Sequence, residues 1–183
     1  MGWIFEDRRG RSVEEYIEQV YEGTEWKSKP VVKISGYANE RVYYRAFKSV
    51  NSGEILCAVI LVHAGKYEIG YKAQDETMGP LDCECPESIL KVLSPTDNEW
   101  ANEWRAKCRA KNERDKKLKE GVKIKFERNF EFHNGSSTDT FRLVLVTGRS
   151  GRKQTRLKAL CEDGKSFLAH IPNWKKYNFK IIE

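Results

Sequence analysis

Hydrophobic and polar residues alternate along four consecutive runs in the first part of the chain, as they do in half-buried β-strands. Short gaps rich in Asn, Ser and Gly separate these runs, which favours an antiparallel four-stranded meander. The stretch Ile55 to Val62 is almost continuously apolar and predicts a central strand covered on both faces. The four predicted strands are Val31 to Ala38, Arg41 to Val50, Glu54 to His63 and Lys66 to Ala73.

Helical spacing of apolar residues predicts three helices around that sheet. The run from Val13 to Tyr21 follows Ser12, a suitable N-cap. Pro86 suits the first turn of a short helix, because its missing N–H has no partner there. Thr96 begins a capping box for a long helix that ends near Leu118. Sheet and helices together predict a compact α+β domain.

The pattern changes after Gly121, where short alternating runs follow one another without any helical spacing. Five short strands in about sixty residues favour a small β-barrel of the Src-homology-3 kind. We therefore predict an α+β domain over residues 1–118 and a small basic β-barrel over residues 119–183.

Composition describes an ordinary, rather polar chain of 183 residues, 39% hydrophobic and 33% charged. No apolar run approaches the roughly 18 residues of a membrane span. Trp3, Ile4 and Phe5 are followed at once by charged residues, which is not the pattern of a signal peptide. Five cysteines without a framework spacing agree with a reducing compartment. We expect a cytoplasmic protein without a cofactor or a membrane partner.

The net charge of +6 is unevenly distributed. Residues 1–103 hold 12 basic and 18 acidic residues, whereas residues 104–183 hold 21 basic and 9 acidic. Such asymmetry indicates that the C-terminal part contacts something anionic, such as DNA, RNA or an acidic protein surface. The alternative is a solvated molecule whose two halves attract each other.

A long motif lies between residues 70 and 108, where GYKxxDExMGP is followed by CPxSILxxLSPTDxExAxEWRxxC. In this motif, and in its Met-Gly-Trp start, the chain resembles an uncharacterised family carried by plasmids, prophages and other mobile elements of Gram-positive bacteria. The resemblance covers roughly the first two thirds of the chain, although the segment between Gly2 and Tyr16 departs from the usual opening. It implies a biological setting but no activity. Its candidate surface consists of Tyr71, Lys72, Asp75 and Glu76.

Three cysteines of the same region are candidate metal ligands or nucleophiles. Cys83 and Cys85 flank a single residue and Cys108 follows at a distance, whereas zinc sites normally use two closely spaced pairs. Cys108 also suits core packing. Cys85 precedes a predicted helix, whose dipole favours a thiolate, but no histidine is adjacent in sequence.

The segment from Thr147 to Lys158 predicts an exposed basic hairpin. A β-ribbon of this kind can lie along a phosphate backbone, although lysine and arginine also protect strand edges from aggregation. The second half of the long helix is similarly basic, which is also typical of a solvated face. The candidate binding residues are Arg149, Arg152, Lys153, Arg156 and Lys158 in the hairpin, and Arg109, Lys111 and Arg114 in the helix.

Three functions follow from these patterns. The first is a non-enzymatic protein of a phage or mobile element that binds and blocks a host defence complex, such as a CRISPR nuclease. The second is a nucleic-acid-binding accessory protein that acts through the basic barrel. The third is a small metal- or thiol-dependent enzyme centred on Lys72, Asp75, Glu76 and Cys85, which is disfavoured because no complete catalytic motif is present.

Overall fold

The computed structural model describes residues 2–35, 39–148 and 151–182. The chain forms two compact units, Met1–Arg114 and Asp115–Glu183. The sequence predicts domains over residues 1–118 and 119–183, and that these regions are separate domains stays a prediction.

Among its described residues, three α-helices begin in the first unit: α1 (Val13–Val20), α2 (Glu87–Leu90) and α3 (Glu99–Lys117). At Ser12 the hydroxyl accepts a hydrogen bond from the Glu15 N–H, and the Glu15 carboxylate accepts one from the Ser12 N–H. This is the reciprocal capping box that fixes a helix start. At α3 the cap differs from the prediction, because the Asn98 side chain, rather than Thr96, accepts from the Ala101 N–H at 2.9 Å.

The first unit contains a six-stranded antiparallel sheet instead of the four strands predicted. The four predicted strands pair in chain order, and β1 adds to β6 while β2 adds to β4. The pattern did not reveal β1 because Ile4 and Phe5 are about half exposed and do not alternate with polar residues. Part of the first predicted strand, residues 36–38, lies outside the described residues. The strands are β1 (Ile4–Asp7), β2 (Glu25–Trp26), β3 (Val31–Ile34), β4 (Glu40–Lys48), β5 (Ile55–Ala64) and β6 (Glu68–Asp75).

Helices cover both faces of this sheet. On one face Cys57 and Val59 of β5 pack in a cluster with residues of α2 and α3, including Trp104. On the other face Ala58 and Ile60 of the same strand pack in a cluster with α1. The predicted double coverage of the central apolar strand is therefore confirmed.

The second unit is a five-stranded antiparallel sheet that curls into a half-barrel, in the order β10-β9-β8-β7-β11. Both end strands keep a free edge in this order, so the described residues form an open sheet where the sequence predicted a barrel. The strands are β7 (Lys123–Glu131), β8 (Ser137–Thr147), β9 (Lys153–Leu160), β10 (Ser166–Ala169) and β11 (Phe179–Ile182).

An aromatic cluster fills the inner face of the half-barrel. The Phe126 ring lies 5.0 Å from Phe130 and 5.4 Å from Phe141, both edge to face. Edge-to-face pairs add about 0.5–1.5 kcal/mol each beyond the area that they bury. The core therefore lies on the inner face of the sheet, and the outer face does not contribute to it.

Within the described residues, no helix combines the length and the apolar character that crossing a membrane requires.

Candidate nucleic-acid interface

Three cations lie side by side across the middle of the second sheet. Lys123 of β7 is paired with Arg142 of β8, and Arg142 is paired with Lys158 of β9. Directly paired residues of an antiparallel sheet project from the same face. We call Lys123, Arg142 and Lys158 the cationic row.

The row lies on the outer face, since the residues next to it in each strand point into the core. Ile124, Phe141 and Leu157 are all essentially buried, whereas Arg142 is exposed and Lys123 and Lys158 are partly exposed. Neighbouring strands lie about 4.8 Å apart, so the row is about 10 Å long. A two-residue side-chain period and the strand register together produce this straight line of charge.

Other cations enlarge the same face. Lys125 and Lys180 are paired across β7 and β11, and Arg156 lies two residues before Lys158 on β9. Two acidic residues, Asp139 and Glu127, line a cavity together with Lys125 and Lys180. The Asp139 carboxylate lies 3.3 Å from the Lys125 ammonium. A hydrogen bond from the Thr140 hydroxyl, followed by Lys125, lowers the pKa of Asp139.

The cationic row places like charges directly opposite each other, an arrangement that is unfavourable in a sheet. Protection of an edge does not explain it, because Arg142 is on β8, the central strand of the five. Among the residues that the structure describes, no ion pair joins a carboxylate to Lys123, Arg142 or Lys158. The row is therefore a candidate site for an anionic partner.

Sequence reasoning identified part of this face. Arg156 and Lys158 were predicted and lie on it, and Arg152 and Lys153 are exposed at the start of β9. Arg149 lies outside the described residues. Lys123 and Arg142 were missed, since each stands in an ordinary alternating strand and only the register brings them together.

The predicted cations of α3 belong to the first unit. Arg109 is exposed and Arg114 is half-buried. Lys111 has a local role, because its ammonium lies 2.6 Å from the Glu84 carboxylate.

Aromatic rings near the C-terminus are too buried to serve as a platform on which nucleic-acid bases stack. Tyr177 is partly buried, packed against Phe126 and Phe130 in the core. Trp174 packs against Phe179 and also lines, with Arg156 and His170, a cavity of about 210 Å³.

The candidate surface of the long motif does not form as predicted. Tyr71 and Glu76 are completely buried, while Lys72 and Asp75 remain partly exposed. Tyr71 stacks on Tyr16 with ring centroids 4.1 Å apart. Asp75 ends its strand by accepting a hydrogen bond from the Thr77 N–H at 2.9 Å. Tyr71 therefore has a role in core packing, and Asp75 caps the turn that follows its strand.

Glu76 forms a buried clamp with Arg105. The Arg105 Nε and Nη2 atoms donate to the two Glu76 oxygens at 2.6 and 2.7 Å, and Arg105 Nη1 donates to the Ser94 carbonyl. The Cys57 N–H donates to the same carboxylate at 3.2 Å. Hydrogen bonding to Glu76 raises the pKa of Arg105. A carboxylate that is fully engaged in this way is a poor candidate for acid–base catalysis.

The cysteines considered as zinc ligands lack a metal-binding arrangement. In the described part of the chain, no three His, Cys, Asp or Glu side chains form a group able to hold a metal ion. Cys85 and Cys108 are completely buried and Cys83 is half-buried.

Fold and surface together define a class: an α+β protein whose second unit is a half-barrel with one hydrophobic and one cationic face. Comparison with family models finds one described as a domain of unknown function (DUF6927), which matches residues 95–174. The match runs from the approach to α3 through β10 and includes the whole cationic row. No curated protein and no solved structure shows a significant match.

The matched region differs from the one expected from the resemblance. It shares with the long motif only the end that begins at Pro95, and it extends over β7 to β10 of the second sheet. An uncharacterised family is thus supported for this region, while an origin in mobile elements stays a hypothesis.

Proposed function

We propose that the second unit binds the sugar–phosphate backbone of nucleic acid through its cationic row. The observation that carries this proposal is the placement of Lys123, Arg142 and Lys158 directly opposite one another on three adjacent strands. An arrangement that costs folding energy is retained most readily when an anionic partner offsets the repulsion.

The dimensions of the row suit a phosphate backbone. One DNA strand presents a phosphate for about every 3.4 Å of rise along the helix axis. Because the backbone runs obliquely to that axis, a row of about 10 Å meets about two or three phosphates. Lysine and arginine recognise phosphate without reading the bases. We therefore expect binding with little sequence preference.

The charge of the whole unit supports the same proposal. Residues 115–183 contain 16 basic and 8 acidic residues, a net charge of +8, whereas residues 1–114 contain 17 basic and 19 acidic residues. The curled sheet also suits a small basic module of the Src-homology-3 kind, which we retain as a proposal for its detailed fold.

The direct test compares the full chain with a triple variant, Lys123→Gln, Arg142→Gln and Lys158→Gln. Binding to a labelled duplex and to a single strand is measured by fluorescence anisotropy between 50 and about 200 mM salt. We expect the variant to bind at least about tenfold more weakly and its salt slope on the duplex to fall by about 2 to 3.

A matched control removes the same number of positive charges elsewhere in the unit. Lys165→Gln, Lys175→Gln and Lys176→Gln change residues outside β7, β8 and β9. This control should lose much less affinity. Equal losses in both triple variants would show that net charge alone drives binding, and no binding by the wild-type chain at low salt would reject the proposal.

A second proposal is that the chain inhibits a host nucleic-acid-targeting complex, such as a CRISPR nuclease. The cationic row supports it, because guide RNA or an acidic protein groove could occupy the same face. Residues 1–114 are nearly balanced in charge, with 17 basic and 19 acidic residues, so the cationic row is the feature that supports this proposal. Co-elution with a purified nuclease complex, with cleavage suppressed at a near-equal molar ratio, tests this proposal independently of free DNA binding.

A further inference from the structure

A cavity lies at one edge of the second sheet, beside β9 and the segment that follows β10. Its volume is about 210 Å³. The lining combines buried apolar residues with exposed polar ones, which is the usual composition of a ligand site. Leu157 and Ile171 are buried in the lining, Thr155, Arg156 and His170 are exposed, and Trp174 is half-buried.

Part of the β9 edge beside this cavity has no partner strand. β10 pairs with residues 157–160 of β9, and the last of these pairs joins Ala169 to Leu157. β9 begins earlier, at Lys153, and pairs there with β8. Among the described residues, no strand pairs with residues 153–156 on the side away from β8. Backbone groups that point to that side are therefore open to a ligand.

Thr155 directs its backbone N–H and C=O toward this open edge. Successive residues of an antiparallel strand direct these groups to alternate sides. The Cys161 N–H donates to the Lys165 carbonyl, which lies on the β10 side, so the odd-numbered residues of β9 face that side. Thr155 has no β10 residue opposite it, and in the described part of the chain no backbone group bonds to it there. One donor and one acceptor are thus open beside the cavity.

The cavity is next to the cationic row. Arg156 lines the cavity and lies two residues before Lys158, on the same outer face. Two residues of a strand span about 7 Å. The Arg156 guanidinium donates to the Gln154 side-chain oxygen at 3.1 Å, which steadies it at this position. A nucleic-acid strand whose phosphates contact Lys158 and Arg156 therefore brings a base to the mouth of the cavity.

We propose that this cavity receives one unpaired base of a single-stranded nucleic acid whose backbone the cationic row holds. This inference rests on the proposed function and specifies the single strand as the preferred ligand. Each of the four bases presents a donor beside an acceptor on its Watson–Crick edge, and Thr155 presents the complementary pair.

The geometry also explains why a duplex is the poorer ligand. In a duplex the Watson–Crick edge is occupied by base pairing, so only a base that is splayed out of the stack can enter. The cavity is smaller than the roughly 300–1,000 Å³ of pockets that hold drug-sized molecules, which suits a single base. Because all four bases satisfy the same two backbone groups, little sequence preference is expected.

Two labelled single strands of equal length test this inference with the full wild-type chain. One carries thymine at every position, and the other is abasic throughout, with the same phosphates and no bases. Fluorescence anisotropy at one salt concentration should show the thymine strand binding at least about fivefold more tightly, because two hydrogen bonds to a base are gained. Equal affinity for the two strands would overturn the inference and leave the backbone proposal intact, whereas binding of neither strand would reject both.

Thr155→Pro tests the backbone donor. Proline lacks the N–H and is tolerated on an edge strand where that N–H has no ladder partner. The variant should lose most of its preference for the thymine strand, while its affinity for the abasic strand changes less than about twofold, since the phosphate contacts remain. Thr155→Val is the matched control, because it keeps the N–H and should keep the preference. A Thr155→Pro variant with the full preference would contradict the inference.

Photo-cross-linking locates the base without any variant, and it decides the matter if Thr155→Pro does not fold. A single strand containing 5-iodouracil is irradiated in complex with the wild-type chain, and the tryptic peptides are examined by mass spectrometry. Trypsin cleaves after Lys165 and Lys175, so residues 166–175 form one peptide that carries His170 and Trp174 of the cavity lining. We expect the cross-link in this peptide. A cross-link in the first unit would place the base elsewhere and overturn the inference.

Discussion

The two units both rest on antiparallel sheets, yet they use the faces of those sheets differently. In the first unit helices cover both faces of the sheet, so β5 is apolar almost throughout. Cys57 and Ala58, which are adjacent residues of β5, pack into clusters on opposite faces. In the second unit only one face packs on a core, and the other carries Lys123, Arg142 and Lys158 in register. A sheet that leaves one face open can present a row of charge, whereas a sheet covered twice has no room for one.

The two units also use charged residues in different ways. In the first unit Glu76 and Arg105 neutralise each other inside the protein, where an unpaired charge would be very costly. In the second unit cations lie beside cations on the outside, where water and salt reduce the repulsion. The buried pair specifies the fold, and the open row is available to a partner. Two predictions test this distinction, and a third tests the packing of the first unit.

The largest effect is expected from breaking the buried clamp. Arg105→Met leaves the Glu76 carboxylate inside without its partner, and we expect a loss of about 3–5 kcal/mol in the free energy of unfolding. Urea unfolding followed by tryptophan fluorescence measures it. The double variant Arg105→Met with Glu76→Leu should recover much of the loss. As a control, Glu103→Gln breaks the exposed Lys107–Glu103 pair and should change stability by less than about 0.5 kcal/mol.

An intermediate effect is expected at the turn that precedes Cys83. Gly79 has a φ of +59°, and a Cβ built there would lie 2.6 Å from the Trp100 ring. Gly79→Ala combines a strained left-handed backbone with that clash, so we expect a loss of about 1–3 kcal/mol. Gly53→Ala is the matched control, because it has a similar φ of +71° and open space around it. If both variants lose the same stability by thermal unfolding, the contact with Trp100 has no role.

The smallest effect is expected in the cationic row, and it has the opposite sign. Arg142→Thr removes the central charge and places a β-branched residue in a strand, so we expect a gain of about 0.2–1 kcal/mol in the stability of the unit. The gain should shrink at high salt, because salt screens the repulsion that the substitution relieves. Thermal unfolding at low and high salt measures both. A loss of stability at low salt would mean that Arg142 has a structural partner and would weaken the functional proposal.

Much of the fold followed from local patterns. The runs that became β4, β5 and β6 alternate or are continuously apolar, and Ser12 with Glu15 reveals the start of α1 in sequence alone. The short strands β1 and β2 have no such pattern. Their positions are determined by pairing with β6 and β4. The Src-homology-3 expectation went further than the open, curled sheet observed.

The candidate sites were predicted less completely. The hairpin cations were visible as a cluster in sequence, whereas Lys123 and Arg142 are 19 residues apart and share a surface only through strand pairing. Glu76 was suggested as part of a surface, but its partner Arg105 is 29 residues away and buries it. Cys83 and Cys108 were considered for zinc, and their asymmetry in exposure became visible only in the folded chain.

The amino-acid sequence by itself determined the α+β class, the change of character after Gly121 and the excess of positive charge toward the C-terminus, because period, turn chemistry and charge are local properties of the chain. Only the tertiary structure decided which cations stand opposite each other, which carboxylate is buried and which thiols are buried. Those relations depend on strand register and on the packing of α3, where residues distant in sequence become neighbours, and no local pattern encodes them.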